Sequence, residues 1–171
     1  SFNIDQDNNF FIIKNNQKLK NPKEYTIEAD ASSASYFFAA ATITGKLIKV
    51  YGLGQKSIQG DIRFLEVIEK MGAKVSIKEN FVEVSSDSEL KNVDLDLNHI
   101  PDAAMTVAIL ALYAKGPSKL RNIGSWRVKE TDRLKAMSIE LSKLGATITL
   151  LARDKDSLTN VLDSLDTSKK Q

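Results

Sequence analysis

Apolar runs separated by glycines and polar turns predict two successive units built on one plan. In each unit a strand leads into a helix, a second strand leads into a second helix, and one or two strands follow. In the first unit we predict strands at 25–30, 46–52, 73–77 and 81–84 and helices at 31–44 and 60–71. In the second we predict strands at 93–97, 118–123 and 146–151 and helices at 102–115 and 129–144. A glycine follows each helix and supplies the left-handed residue that closes it: Gly45, Gly72, Gly116 and Gly145.

The spacing of these features indicates an internal repeat. Gly45 and Gly116 lie 71 positions apart, as do Asp61 and Asp132, which predicts a repeated β-α-β-α-β-(β) unit. The first helix of each unit is apolar on every side, whereas the second carries one apolar stripe and one charged face. The pattern therefore predicts an α/β (α+β) fold with the first helices buried all round and the sheets outside them.

The two ends of the chain differ from the repeat. Residues 1–28, with a strand predicted at 10–14, precede the first unit and are expected to end a neighbouring domain, with the crossing near 28–30. Residues 29–146 hold the repeat, and residues 147–171 form a divergent tail that predicts a strand, a short basic turn and a helix. That order faintly resembles part of a short-chain reductase, although no glycine-rich fingerprint precedes it.

Composition excludes several classes of site. The 171 residues contain no Cys, which rules out disulfides, thiolate catalysis and Cys-bound zinc, and the single His99 cannot form a His-based metal site alone. We expect no metal and no other cofactor. The net charge of +2 comes from 24 basic and 22 acidic residues spread along the chain, which does not favour nucleic-acid binding. No long apolar span and no basic-then-apolar leader is present, so we expect a soluble, cytoplasmic protein without membrane contact.

One charged stretch, SWRVKETDRLKAM at 125–137, raises a physical question. Lys129 and Arg133 lie four positions apart, so on a helix they share one face and repel each other at the positive end of the helix dipole. An anion between them would remove the repulsion, and the free N–H groups of a helix start would bind the same anion. Removing either cation should then slightly stabilise the free protein.

The types of residue in this stretch suit anion chemistry. Arg133 can bind a carboxylate or phosphate through two parallel bonds, while Lys129 acts as a point charge. Glu130, beside the two cations, is placed for proton transfer. The alternative is a solvated helix face on which Glu130 and Asp132 balance the cations.

Polar residues at other helix starts have capping as their simplest role. Asp102 follows Pro101 and opens an apolar helix, so it is either an N-cap or a base that faces a cleft. Three residues at the start of the first unit are also interpreted as capping residues: Asp30, Ser32 and Ser33. His99 is interpreted as a structural hydrogen-bonding residue. The segment 52–61 contains glycines and a lysine but lacks the spacing of a P-loop.

Four segments together resemble the 5-enolpyruvylshikimate-3-phosphate synthase family. They are EADASSASYFFAAATITG, QGDIRFLEVIEKMGA, DLNHIPDAAMTVAILALYAKG and RNIGSWRVKETDRLKAM, in the family's order and at matching spacing. The similarity runs from about Tyr25 to Ala146. The enolpyruvyl transferase that acts on UDP-N-acetylglucosamine is similar in fold but does not share the pairing of WRVKETDR with HIPDAAM.

The resemblance implies a two-domain enzyme in which each domain contains three copies of the unit, arranged as an inside-out α/β barrel. It implies transfer of the enolpyruvyl group of phosphoenolpyruvate to the 5-hydroxyl of shikimate 3-phosphate, releasing phosphate, in aromatic amino-acid biosynthesis. This chain matches the end of the first domain and part of the second. Because the remainder is needed for a complete site, the chain alone is expected to be inactive. The alternative is a non-catalytic remnant or an anion-binding module of the same fold.

The resemblance also implies roles for five residues. Asp102 is implied to contact shikimate 3-phosphate and to act as the base on its 5-hydroxyl, and Lys129 to contact the same substrate. Glu130 is implied to donate a proton to the phosphoenolpyruvate methylene, and Arg133 to bind phosphoenolpyruvate. Ser125 falls where the family has a substrate-contacting Asn or Ser.

Overall fold

The computed structural model describes residues 4–7, 10–15, 17–18 and 21–149. Four α-helices lie in these ranges: α1 (Ala31–Thr44), α2 (Phe64–Lys70), α3 (Ala104–Tyr113) and α4 (Arg133–Lys143). The strands there are β1 (Ile4–Asp7), β2 (Phe10–Ile13), β3 (Ile48–Tyr51), β4 (Lys74–Ile77), β5 (Phe81–Ser85), β6 (Asp94–Asp96) and β7 (Lys119–Arg121). Short 3-10 turns at Gly60–Arg63 and Gly124–Val128 precede α2 and α4.

The strands form three small sheets. β1 and β2 pair as an antiparallel hairpin, and β5 lies between β3 and β4 in a three-stranded antiparallel sheet. β6 and β7 are parallel, with Leu95 opposite Leu120. A parallel pair requires a crossover connection, which α3 supplies.

Gly45, Gly72 and Gly145 lie at the ends of helices as predicted, but Gly116 does not, because α3 ends at Tyr113 and its C-cap is the extended Ala114. Gly45, Gly72, Gly116 and Gly145 all have positive φ angles, of 72°, 109°, 97° and 86°. The Gly45 amide donates to the Ala41 carbonyl at 3.0 Å and closes α1. A Cβ at Gly45 would lie 2.9 Å from the Ser86 carbonyl oxygen, so glycine is needed there both for its φ and for the close approach.

The core is built from the inward faces of α1, α2, α3 and β5. Its fully buried side chains include Phe38, Phe64, Ile68, Val82, Val84, Val107 and Leu110. Where α1 meets α3, Ser35 Oγ lies 2.8 Å from Thr106 Oγ1. These residues are 71 positions apart, the period of the repeat, so corresponding positions of the two units meet in the interior. Because both lie near the beginning of their helices, the starts of α1 and α3 are close together.

The prediction that α1 is buried on all sides is wrong for this chain. Ala34, Phe38 and Ala41 face the core, but Tyr36 and Phe37 are 66% and 58% exposed. Nothing among the described residues covers that stripe, because the sheet and α3 pack only against the opposite side of the helix. α3 is more completely buried, although Leu112 and Tyr113 at its end are exposed. α1 and α3 are rich in apolar residues. None of the described helices, however, is both long and apolar enough to cross a membrane.

The strand predicted at 25–30 is not formed. Tyr25 and Ile27 are exposed, and the segment is held by one backbone bond, from the Ala29 amide to the Gly52 carbonyl at 3.0 Å, together with bonds to side chains. Gln59 Nε2 donates to the Ala29 carbonyl at 2.7 Å, and Gln59 Oε1 accepts from the Ala31 amide at 2.9 Å. Glu28 accepts from the Ser57 hydroxyl and from the Ile58 amide. The segment therefore lacks the ladder of backbone bonds that defines a strand.

Other boundaries moved for local reasons. The predicted helix at 129–144 begins only at Arg133, because the Asp132 side chain accepts from the Lys135 amide at 3.0 Å and caps it there. The helix predicted at 60–71 starts as a 3-10 turn, and that predicted at 102–115 shortens to α3. Residues 146–149 do not form a strand, and the predicted tail from residue 150 onward lies outside the described residues.

Adjacent alanines on α1 test its orientation. Ala41 is fully buried, so Ala41→Glu should place an unpaired charge in the core and lower the free energy of unfolding by about 3–5 kcal/mol. Ala40 is exposed, so Ala40→Glu should change it by no more than about 0.5 kcal/mol. Urea unfolding of the two variants gives the comparison. Equal losses of stability would mean that the helix is turned differently or that Ala40 is also covered.

Candidate active site

The candidate site lies where the loops after β6 and β7 meet. β6 continues through 97–103 into α3, and β7 continues through the 3-10 turn and residues 129–132 into α4. The carboxyl ends of neighbouring parallel strands share one edge of a sheet, so these two loops lie side by side. At their base, the Leu97 amide donates to the Arg121 carbonyl at 3.0 Å.

Asp102 does not cap α3. The N-cap position is Ala103, which makes no side-chain capping bond. The Asp102 carboxylate instead reaches the second loop, where Oδ1 lies 2.5 Å from Arg133 Nη1 and 3.3 Å from Lys129 Nζ. The geometry therefore favours the second interpretation of Asp102, in which its carboxylate faces a polar site instead of capping α3. The Asp102 side chain is 46% exposed, so solvent and ligands can reach it.

Arg133 joins two acids from different segments. Its Nη1 donates to Asp102, and its Nη2 donates to Glu130 Oε2 at 2.6 Å. The side chain is only 14% exposed, although it is charged. The hydrogen bond to Asp102, followed by that to Glu130, raises the pKa of the guanidinium. Arg133 is therefore a mostly covered cation with a carboxylate at each of its two terminal nitrogens.

The two acids are both held in their ionised form. The hydrogen bond from Arg133 is the largest cause of a lowered Asp102 pKa, and Lys129 lowers this pKa further, while partial burial acts in the opposite direction. The pKa of Glu130 is also lowered, first by a bond from its own backbone N–H and then by Arg133. The free chain therefore does not hold Glu130 near the pKa that a proton donor at neutral pH requires.

The predicted repulsion between Lys129 and Arg133 is not what the structure shows. Lys129 precedes α4 rather than lying on it, and both cations contact the same Asp102 oxygen. Asp132 caps α4 instead of balancing the cations. Removing Arg133 would consequently remove attractive contacts, and the expected stabilisation by its replacement is reversed.

Two further residues of the second loop, Ser125 and Trp126, have buried polar side-chain groups. The Ser125 hydroxyl is buried and has no hydrogen-bond partner within the described part of the chain. The neighbouring Trp126 is buried, and its indole N–H donates to the Pro101 carbonyl at 2.7 Å. Sequence reasoning did not single out Trp126, although the signal was there: it is the single Trp, and it lies inside a strongly charged stretch.

The remaining candidate residues have structural surroundings. Asp30 caps α1 by accepting from the Ser32 amide at 3.0 Å and from the Ser33 hydroxyl at 2.5 Å, as predicted. The Ser32 hydroxyl donates to Asp61 at 2.5 Å. His99 is exposed and makes no hydrogen bond through its side chain to another described residue, so its expected structural bond is absent there.

The glycine-containing segment 52–61 is shaped by close packing. A Cβ at Gly54 would lie 2.2 Å from the Glu79 carbonyl oxygen, so this glycine permits contact between two loops. Its presence is explained without a phosphate ligand.

Fold and site together define an α/β protein built of repeated units, with cations and carboxylates gathered where two loops meet. The family model described as EPSP synthase (3-phosphoshikimate 1-carboxyvinyltransferase) matches residues 1–169, and the chain belongs to this family. The match includes the segment after Ala146, whose structure beyond residue 149 is not described.

Relatives of this chain carry the same family name. A 3-phosphoshikimate 1-carboxyvinyltransferase from Buchnera aphidicola subsp. Schizaphis graminum is 59% identical over 138 residues, which are 81% of this chain and 32% of the relative. One from Psychromonas ingrahamii is 56% identical over 150 residues, covering 86% and 35%. The chain thus spans about a third of the length of these relatives. The solved structure of EPSP synthase from Acinetobacter baumannii matches 80% of this chain and 33% of that chain, with a TM-score of 0.68 at 22% identity, and supports the fold.

Replacing Arg133 by Lys should destabilise the free chain. The variant keeps the charge but loses the fork that reaches Asp102 and Glu130 together, so the free energy of unfolding should fall by about 1 kcal/mol. Arg63 offers a matched control, because it binds Glu66 through Nε and Nη2 but is half exposed. Arg63→Lys should cost much less, because an exposed ion pair contributes little to stability. If chemical unfolding gives the same small change for both variants, Arg133 is an ordinary surface cation.

The lowered Asp102 pKa predicts a pH dependence of stability. The carboxyl binds a proton more readily in the unfolded chain than in the folded chain, so its contribution to stability is present above the ordinary Asp pKa of 3.8 and disappears as the pH falls through the lower folded value. Asp102→Asn should remove this part of the dependence. Unfolding curves of parent and variant, measured from pH 7 downward, should therefore converge in acid. Curves that stay parallel would contradict the ion pairing.

Proposed function

We propose that this chain forms part of an enzyme that transfers the enolpyruvyl group of phosphoenolpyruvate to the 5-hydroxyl of shikimate 3-phosphate and releases phosphate. The observation that carries this proposal is the Arg133 guanidinium shared between Asp102 and Glu130. The reaction needs a base at the hydroxyl, an acid at the methylene and a cation for the anionic substrate. These three kinds of group meet here, in a chain of the matching family.

Asp102 is proposed as the base that takes the proton of the 5-hydroxyl. Its carboxylate is ionised and half exposed, and its contacts come from cations rather than from the amides of α3. The same cations make it a weak base in the free chain. A substrate anion that occupies Arg133 and Lys129 would withdraw their stabilisation of the carboxylate and raise its pKa. Ligand binding is thus expected to strengthen the base.

Glu130 is proposed as the proton donor, which requires a similar change. In the free chain it is ionised and bound to Arg133. When the carboxylate or phosphate of phosphoenolpyruvate binds Arg133, Glu130 loses its cation and gains an anionic neighbour. Both changes raise the pKa of Glu130 toward the range of a proton donor. Arg133 therefore serves as the phosphoenolpyruvate ligand and as the group through which binding alters both acids.

Lys129 and Ser125 are proposed to bind shikimate 3-phosphate. Lys129 brings a positive charge to within 3.3 Å of Asp102, so a substrate held by the lysine lies near the base. The buried, unpartnered Ser125 hydroxyl would gain a hydrogen bond from the substrate that the described residues do not provide.

The finer architecture belongs to the same proposal. Residues 1–28 end the first domain of the complete enzyme, residues 29–146 form part of its second domain, and 147–171 are a divergent tail. The contact between corresponding residues Ser35 and Thr106, with the uncovered stripe of α1, suits an inside-out α/β barrel in which a further unit packs against the first helices. The enzyme is proposed to work in the cytoplasm.

The activity can be tested in a chimera. The chain alone should release no phosphate from the two substrates, because catalysis by positioning fails when much of the site is missing. The Cronobacter sakazakii relative is 56% identical over 138 residues, so the matching segment of this chain can replace that third of the relative. We expect the chimera to release phosphate, and Asp102→Asn within it to lose activity by at least about 100-fold.

Two results would separate the alternatives. A folded chimera that binds phosphoenolpyruvate without turnover would support the non-catalytic, anion-binding module. A chimera in which Asp102→Asn keeps full activity would remove Asp102 from the proposed mechanism. The control is Lys119→Gln, a change of an exposed β7 residue that contacts neither Asp102 nor Glu130. It should leave activity unchanged.

A further inference from the structure

The two site loops are joined by a partly buried hydrogen bond from a buried ring, as well as by exposed ion pairs. Trp126 is 1% exposed, and its indole N–H donates to the Pro101 carbonyl at 2.7 Å. Pro101 immediately precedes Asp102, and Trp126 lies three residues before Lys129. A single bond therefore connects the backbone next to the acid with the turn that leads to its cationic partner.

The indole bond fixes the position of the Asp102 loop, which the other contacts leave adjustable. The bond from Leu97 to Arg121 joins the loops only at their base. Asp102 is released from capping, so its side chain has no bond to the α3 amides that would fix its orientation. Its ion pairs with Lys129 and Arg133 are solvent-accessible on the Asp102 side and must yield to substrate anions. The ring that donates the indole bond is buried, so we expect this bond to persist when the ion pairs exchange.

Because the donor ring is buried, loss of this bond should change the position of the first loop. The Trp126 ring belongs to the core cluster, and its own amide is anchored to the Ile123 carbonyl at 3.0 Å. The ring is therefore a rigid donor attached to the second loop. Without the indole N–H, the Pro101 carbonyl would have to find another partner such as water, and the first loop would no longer be tied to the ring.

From this geometry we infer that Trp126 is a positioning residue, whose indole N–H holds the Asp102 loop at the distance from Lys129 and Arg133 that the site requires. The inference rests on the proposed function for its catalytic meaning, but the positioning itself is a property of the free chain. Trp126 touches no reacting atom and acts through the backbone of Pro101.

The test compares Trp126→Phe with a core change elsewhere. Phe keeps a buried ring but cannot donate, so Asp102 should move away from its cations and its pKa, followed by carboxyl carbon NMR, should rise toward the ordinary 3.8. Binding of phosphoenolpyruvate to the chain should weaken about fivefold, the effect expected for one hydrogen bond. Phe64→Leu, which alters a fully buried ring of α2, should reduce stability and leave the Asp102 pKa and the binding unchanged.

The outcomes distinguish this inference from the proposed function. If the parent binds phosphoenolpyruvate and Trp126→Phe leaves both the affinity and the Asp102 pKa as they were, Trp126 has no positioning role. If the parent chain does not bind phosphoenolpyruvate without the rest of the site, the Asp102 pKa alone decides the role of Trp126, and the proposed function is decided by the chimera. Should Trp126→Phe fail to fold, the same pKa is measured with benzothienylalanine at position 126, which keeps the two-ring shape without the N–H. An unshifted pKa there overturns the inference, and a rise supports it.

Discussion

The site depends on one guanidinium that reaches carboxylates from two segments of the chain. Arg133 binds Asp102, which precedes α3, and Glu130, which precedes α4. The planar fork of arginine can serve both acids at once, which a lysine ammonium cannot do with the same geometry. The ionisation of each acid is consequently linked to that of the other. Any anion that occupies Arg133 alters both acids together, although they lie on different loops.

This arrangement has a cost that appears at the start of α3. Asp30 caps α1 and Asp132 caps α4, but Asp102 is turned away from α3, which has no side-chain cap. Loss of such a cap typically costs about 1 kcal/mol. The ion pairs of Asp102 offset part of this cost, and backbone carbonyls satisfy two of the first amides of α3: the Ala104 amide donates to Ile100 at 2.9 Å and the Thr106 amide to Ala103 at 3.0 Å. Of α1, α3 and α4, the helix without a side-chain cap is thus the one whose start adjoins the candidate site.

The sequence predicted most of the helices and the groups at the site, but not how those groups pair. α1 and the glycines that end α1, α2 and α4 follow from local chemistry, because apolar periodicity and positive φ are encoded within a few residues. The supposed strand at 25–30 failed because its alternation could not show that Gln59 would satisfy its backbone.

The same limit applies to the charges. The spacing of Lys129 and Arg133 suggested repulsion on one helix, but the capping bond of Asp132 starts that helix after Lys129. Their common partner, Asp102, is more than 25 residues away in sequence and is brought near by the pairing of β6 with β7. A local pattern can identify which residues are charged, whereas tertiary structure decides which of them neutralise one another.

The two units link the starts of their helices through different kinds of contact. In the first unit, Ser32 at the start of α1 donates to Asp61 at the start of the following helical segment. The positions 71 residues later are Ala103 and Asp132, yet the second unit makes its corresponding link one residue earlier and one residue later, between Asp102 and Arg133. Both links tie the start of the first helix to the start of the second. In the first unit a neutral hydroxyl completes the link by donating to the Asp61 carboxylate. In the second unit the link is an ion pair, and an ion pair can be exchanged for a substrate anion while the helices remain in place.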